Sequence, residues 1–186
     1  MSSGDIQVYF GDKVTLDDGA VGEVRFIGEL TSKSEIVYGV DLTTGKGKNN
    51  GSLDGVTYFT VKNKAQMSGR FVTRSSIQKA SKTSQSSKFT IGESVTVQGA
   101  QKGVIRYLGI PAFASSKKVH YGIELSDAKG ENDGSKRGQK YFRCEMKHGI
   151  FVSNESHLTP SRKAAAAAAA DAKDSANANN SNTNGN

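Results

Sequence analysis

At 186 residues the chain has room for one or two small domains and none for a large multidomain enzyme. Only 35% of its residues are hydrophobic, and 25 lysines and arginines against 18 aspartates and glutamates leave a net charge of +7. The excess is spread along the chain, so it suits acidic partners without demanding nucleic acid.

The apolar runs, in chain order, are short and β-branched. KVTL, GEVRFI, IVYGVDL, TYF and RFV come before residue 73; SVTV, GVIRYL, VHYGIEL, KYF and IFV come after residue 93. Short apolar runs punctuated by glycine predict small antiparallel β-barrels, and none of the runs carries a helical stripe.

The same unit is written twice. VGEVRFIG (21–28) repeats as KGVIRYLG (102–109) at an offset of 81 residues. YGVDL (38–42) repeats as YGIEL, and GKNNGSLDGVTYF (47–59) as GENDGSKRGQKYF, both at an offset of 83. GRFV (69–72) returns as GIFV at an offset of 80, which implies extra residues around positions 63–66. Repeated order with drift in loop length indicates duplication. The expected organisation is an all-β chain with a first barrel over residues 5–80 and a second over 89–160. Between them, SKTSQSSK (81–88) reads as a flexible linker. Residues 161–186 contain no Val, Ile, Leu, Phe, Tyr or Met and read as a disordered Ala/Asn-rich tail. Its seven alanines (164–170) are too few for an isolated helix.

Several chemistries are excluded or disfavoured. The single cysteine, Cys144, forbids an internal disulfide and a multi-thiolate zinc site. His120, His148 and His157 lack metal-ligand spacing, and no GxSxG, HExxH or P-loop is present. No cofactor and no catalytic residue is expected. No apolar run approaches the roughly 18 residues of a membrane span. The start, MSSGDIQVYF, lacks the features of a signal peptide. These readings point to a cytoplasmic protein that does not engage membranes.

Function is expected in the Gly/Asn loops. Gly47, Lys48, Asn49, Asn50, Gly51 and Ser52 recur as Gly130, Glu131, Asn132, Asp133, Gly134 and Ser135. A loop of exposed amide donors carrying a lysine would be an anion-binding concavity. Tyr58, Phe59, Tyr141 and Phe142 would place an apolar wall beside it.

These motifs, in the order GxVRYxG, GVEL, GKNDGS, GxxYF and GxFV, resemble the CAP-Gly domain over nearly all of residues 8–80 and 89–160. The resemblance implies an SH3-like β-barrel for each unit. It also implies binding of acidic C-terminal tails ending in an aromatic residue, as on α-tubulin and end-binding proteins, and hence a cytoskeletal, microtubule-associated protein. By the family pattern, Lys48, Asn49 and Asn132 contact the tail. Phe71 and Phe151 line its aromatic slot, and Phe113 matches the family's Phe-Ala. Capture of a terminal carboxylate beside a ring is a recurrent recognition mode.

The chain departs from the pattern in places. The family's tryptophan before GVEL is replaced by Val37 and His120, and the chain contains no tryptophan. Asn50 stands for the motif's Asp. Glu131 stands for its Lys, a like charge expected to cost about 1 kcal/mol against an acidic tail. Unit one keeps the lysine; unit two keeps the aromatic lining and the basic run Lys136, Arg137, Lys140 and Arg143. Two such sites on a flexible linker would hold a lattice of tails by avidity. The competing reading is a basic barrel that binds RNA or single-stranded DNA.

Overall fold

The computed structural model describes residues 6–62, 67–116 and 118–161. The tail beyond residue 161 and the extra residues at 63–66 lie outside these. Among the described residues, fourteen strands fall into two sets of seven. The first set is β1 (Lys13–Leu16), β2 (Val21–Leu30), β3 (Lys33–Thr44), β4 (Ser52–Leu53), β5 (Val56–Thr57), β6 (Gly69–Val72) and β7 (Ile77–Ser81). The second set is β8 (Ser94–Val97), β9 (Gln101–Gly109), β10 (His120–Leu125), β11 (Ser135–Lys136), β12 (Gln139–Lys140), β13 (Gly149–Val152) and β14 (Leu158–Pro160). A three-residue 3-10 turn precedes the last strand of each set.

The pairing repeats with the sequence. β1 lies between β7 and β2, and β3 joins β2 to β6; correspondingly, β8 lies between β14 and β9, and β10 joins β9 to β13. All pairs are antiparallel, which gives two small barrels of the predicted type. β1 and β8 share one alternating burial pattern, as a strand with one face on a core requires.

Two glycine pairs show why the barrels need residues without a side chain. Gly39 and Gly122 sit mid-strand beneath the rings of Phe59 and Phe142. A Cβ there would stand 2.5 Å from a ring carbon. Gly51 and Gly134 have φ of +93° and +88°, and a Cβ would collide with the backbone carbonyl of Phe59 or Phe142.

The barrels are not independent beads. β2 pairs antiparallel with β9 through Phe26↔Gly109, Ile27↔Leu108 and Gly28↔Tyr107. By the repeat offset, Phe26 corresponds to Tyr107, Ile27 to Leu108 and Gly28 to Gly109. Exchanging each residue for its counterpart therefore turns Phe26↔Gly109 into Tyr107↔Gly28 and leaves Ile27↔Leu108 unchanged, which is the arrangement of an isologous two-fold contact. Here the period-two alternation breaks off: Phe26, Ile27 and Gly28 are all buried, as are Tyr107, Leu108 and Gly109, because both faces are covered. One buried cluster runs through both barrels on the side of Ile27 and Leu108. A second, aromatic cluster does so on the side of Phe26 and Tyr107.

Residues 81–88 differ from the expected flexible linker. Ser81 ends β7, the Ser87 amide donates to the Phe10 carbonyl (2.8 Å), and the Ser86 hydroxyl donates to buried Asp12 (2.6 Å). Thr83 donates to the Gly11 carbonyl (2.9 Å). Serine-rich composition suggested a chain without partners, but these hydroxyls fold back on the first barrel and pin the connection.

Candidate functional site

The two Gly/Asn loops are nearly superimposable in their hydrogen bonding. In the first, the amides of Lys48 and Asn49 donate to the Gly69 carbonyl, and the Gly69 amide returns to Asn49. The Asn49 side chain accepts from the Gly51 amide (2.9 Å), and the Asn50 side chain from the Ser52 amide (3.2 Å). In the second, Glu131 and Asn132 donate to Gly149, which donates back to Asn132. Asn132 accepts from the Gly134 amide (2.8 Å) and Asp133 from the Ser135 amide (3.1 Å).

This corrects the expectation of uncovered donors. The amides of Lys48, Asn49, Gly51 and Ser52, like those of Glu131, Asn132, Gly134 and Ser135, are taken up within the loop or by the facing glycine, so the side-chain oxygens of Asn49 and Asn132 are occupied in shaping it. Asn50 performs the Asx-turn role of Asp133, and the substitution leaves the backbone unchanged. Gly47 and Gly130 are fixed by packing: a Cβ on Gly47 would meet backbone atoms of Met67 and Ser68, and one on Gly130 those of Lys147, His148 and Gly149. Lys48 is exposed at the first loop. The Lys140 ammonium, 2.5 Å from Asp133, holds that carboxyl down at about 2.

After each loop comes a two-residue hairpin turn with φ positive at both positions, at Asp54-Gly55 and at Arg137-Gly138. It leads to the Tyr-Phe pair. Both members of each pair are buried: Tyr58 at 4%, Phe59 at 2%, Tyr141 at 3% and Phe142 at 1% exposure. The expected apolar wall beside the loop is therefore a buried floor, and neither pair offers a stacking surface.

The half-buried rings on that floor are those of Phe71, Phe113 and Phe151. Phe71 lies edge-on to Tyr58 (5.5 Å) and Phe59 (5.3 Å). Phe151 does the same with Tyr141 (5.5 Å) and Phe142 (5.4 Å) and meets Phe113 at 5.0 Å. Each barrel thus carries half-buried rings beside its glycine loop, Phe71 in the first and Phe113 with Phe151 in the second, which form its candidate slot.

The CAP-Gly domain profile matches twice, over residues 10–77 and 91–157. The chain belongs to the CAP-Gly family. It is 31% identical, over 76% of its length, to CAP-Gly domain-containing linker protein 3 of Homo sapiens, and spans 33% of that relative. Restin homolog of Drosophila melanogaster is 27% identical over 84% of the chain, which spans 11% of it. Dynactin subunit 1 of Xenopus laevis is 46% identical over 33% of the chain, which spans 5% of it.

The two CAP-Gly slots differ at one edge. In the second, the Phe113 ring meets the Tyr141 ring edge-on at 5.4 Å. In the first, the Thr31 amide and hydroxyl each lie 2.8 Å from the Tyr58 hydroxyl. Thr31 therefore occupies the place of the Phe-Ala loop and leaves that edge without a ring. Where the family has tryptophan, Val37 is buried in the aromatic cluster, and His120 meets Phe113 edge-on at 5.6 Å. Tyr38 and Tyr121, one residue on, face the other cluster, as strand alternation predicts.

The cation missing at Glu131 is supplied from elsewhere. Lys136 Nζ lies 5.3 Å from the Phe113 ring centroid, 5.9 Å from that of Phe151 and 3.5 Å from Glu131. It stands at the mouth of the slot and partly offsets the glutamate. In the sequence Lys136 stands only as one member of a basic run. The usable signal was the hairpin itself: GSKRG places Lys136 on the strand leaving the loop, where unit one has Leu53. Cys144, half-buried beside the second loop, has its thiol pushed up to about 11 by burial, far from the range of a reactive thiolate.

Proposed function

We propose that the chain is a non-enzymatic, cytoplasmic, microtubule-associated binding protein that captures acidic C-terminal tails ending in an aromatic residue, of the kind on α-tubulin and end-binding proteins. The observation that carries this reading is the second slot. Lys136 stands over two half-buried rings, Phe113 and Phe151, with the Gly/Asn loop alongside. A terminal ring would pack against the exposed side of the Phe113–Phe151 pair, and its carboxylate would meet the ammonium. In the first slot Lys48 takes the charged role and Phe71 the apolar one. Kinship with a linker protein and with a dynactin subunit agrees with a role at the cytoskeleton.

Nucleic acid is the poorer fit. Base stacking needs exposed aromatic faces, and the Tyr-Phe pairs are buried.

The test is fluorescence titration of a peptide ending Glu-Glu-Tyr against the full chain. Amidating its terminus, or deleting its tyrosine, is expected to weaken binding at least tenfold, about 1.4 kcal/mol. Lys136→Glu should remove the stronger of the two sites. Binding indifferent to both peptide changes, but steeply lowered by salt, would overturn the reading in favour of nonspecific charge contact.

A further inference from the structure

Resting on the tail-capture reading, we propose that the two slots act as one rigid bivalent reader for a partner that presents two identical tails close together, as a parallel dimer does. Neither a single tail nor tails scattered over a wide surface fit it as well.

Three observations carry this inference. First, the barrels are fixed to one another. The antiparallel β2–β9 pair joins them about the Ile27↔Leu108 position, and the short connection is hydrogen-bonded down onto the first barrel. Arg143 of the second barrel also donates to Ser34 Oγ (2.5 Å) and to the Thr31 carbonyl (3.2 Å) of the first.

Second, the slots open beside one another. From Phe71 the rings step to Phe26 (6.3 Å), to Tyr107 (5.7 Å) and to Phe151 (6.0 Å), all within one aromatic cluster. The two hairpins that follow the glycine loops touch across the joint, where Gln139 Nε2 donates to the Thr57 carbonyl at 3.5 Å. Neither groove can move away to sample a distant tail.

Third, the arrangement is two-fold. Equivalent residues exchange partners across β2 and β9, so equivalent slots stand in two-fold relation. The partner that matches such a pair without strain is itself two-fold. Two tails leaving a parallel coiled coil start about 8–10 Å apart. A ten-residue flexible tail spans roughly 17 Å, enough to reach both slots at once. The second contact is then made at millimolar effective concentration.

The experiment compares two probes on the full chain by calorimetry. One is a monomeric peptide ending Glu-Glu-Tyr; the other is a parallel two-stranded coiled coil with the same ten-residue tail on each strand. The expected result is at least tenfold tighter binding of the coiled coil, with one chain per dimer. Either Lys48→Glu or Lys136→Glu, both outside the core, should abolish that gain and return the affinity to the monomeric value. Two chains per dimer, or equal affinity for the two probes, would overturn the pairing and leave single-tail capture intact. A single monomeric peptide per chain, weakened equally by both substitutions, would also overturn it, since one tail would then span both slots. If neither probe binds, the tail-capture reading itself fails.

Discussion

Replacing Gly134 by alanine is expected to lower the melting temperature of the chain by about 6–12 °C and to abolish tail binding by the second barrel. Two costs add. At φ +88° an alanine pays roughly 1–2 kcal/mol for the left-handed conformation. Its Cβ would also collide with the Phe142 carbonyl, a backbone atom that cannot rotate away, so the loop must shift at about 1–3 kcal/mol. At 2–4 °C per kcal/mol for a chain of this size, about 3 kcal/mol gives the stated range. The shift would also move the strand that carries Lys136. Gly138→Ala is the control: its φ is +78°, but no atom lies within 4 Å of the added Cβ. Only the conformational cost of about 1 kcal/mol remains there, and the melting temperature should fall by about 2–4 °C. Equal losses from the two substitutions, read by thermal unfolding, would show that the close approach to Phe142 is not what fixes the loop.

Ile27→Ala is expected to cost on the order of 3 kcal/mol and to loosen both barrels together. Ile27 is fully buried, in contact with the first core and directly opposite Leu108 of the second. If the barrels form one body, hydrogen exchange should speed up at Tyr121 and Ile123 in β10 as well as at Tyr38 and Val40 in β3. Loss of protection confined to the first barrel would mean that each folds alone and that the β2–β9 pair contributes little.

The duplication, the barrel type and the packing of Phe71 and Phe151 beside the Tyr-Phe pairs were legible because they rest on local constraints. A glycine is demanded wherever Phe59 or Phe142 lies flat on a strand, and Phe71 and Phe151 follow from the GxFV strand that edges the floor. What was misread depended on contacts distant in sequence. The Ser-rich segment 81–88 looks flexible until Phe10, Gly11 and Asp12 are brought beneath it. The loop amides look available until Gly69 and Gly149 fold against them. The joint between the barrels did leave a trace. Phe26-Ile27-Gly28 and Tyr107-Leu108-Gly109 are unbroken apolar triplets at equivalent positions, where a strand with one wet face would alternate. Lys136 reads in the sequence only as one of a basic run, because its place beside Phe113 and Phe151 depends on the fold and the family's lysine position holds Glu131, five residues earlier.

The most direct test of the account is to map the amide shifts of the full chain as a peptide ending Glu-Glu-Tyr is added. The largest changes are expected around Phe113, Gly134, Lys136 and Phe151, with a second set at Lys48, Gly51 and Phe71. They should disappear when the terminal carboxylate is amidated. Shifts centred on Arg106, Lys129 or another basic surface away from these rings, or shifts unaffected by amidation, would contradict it.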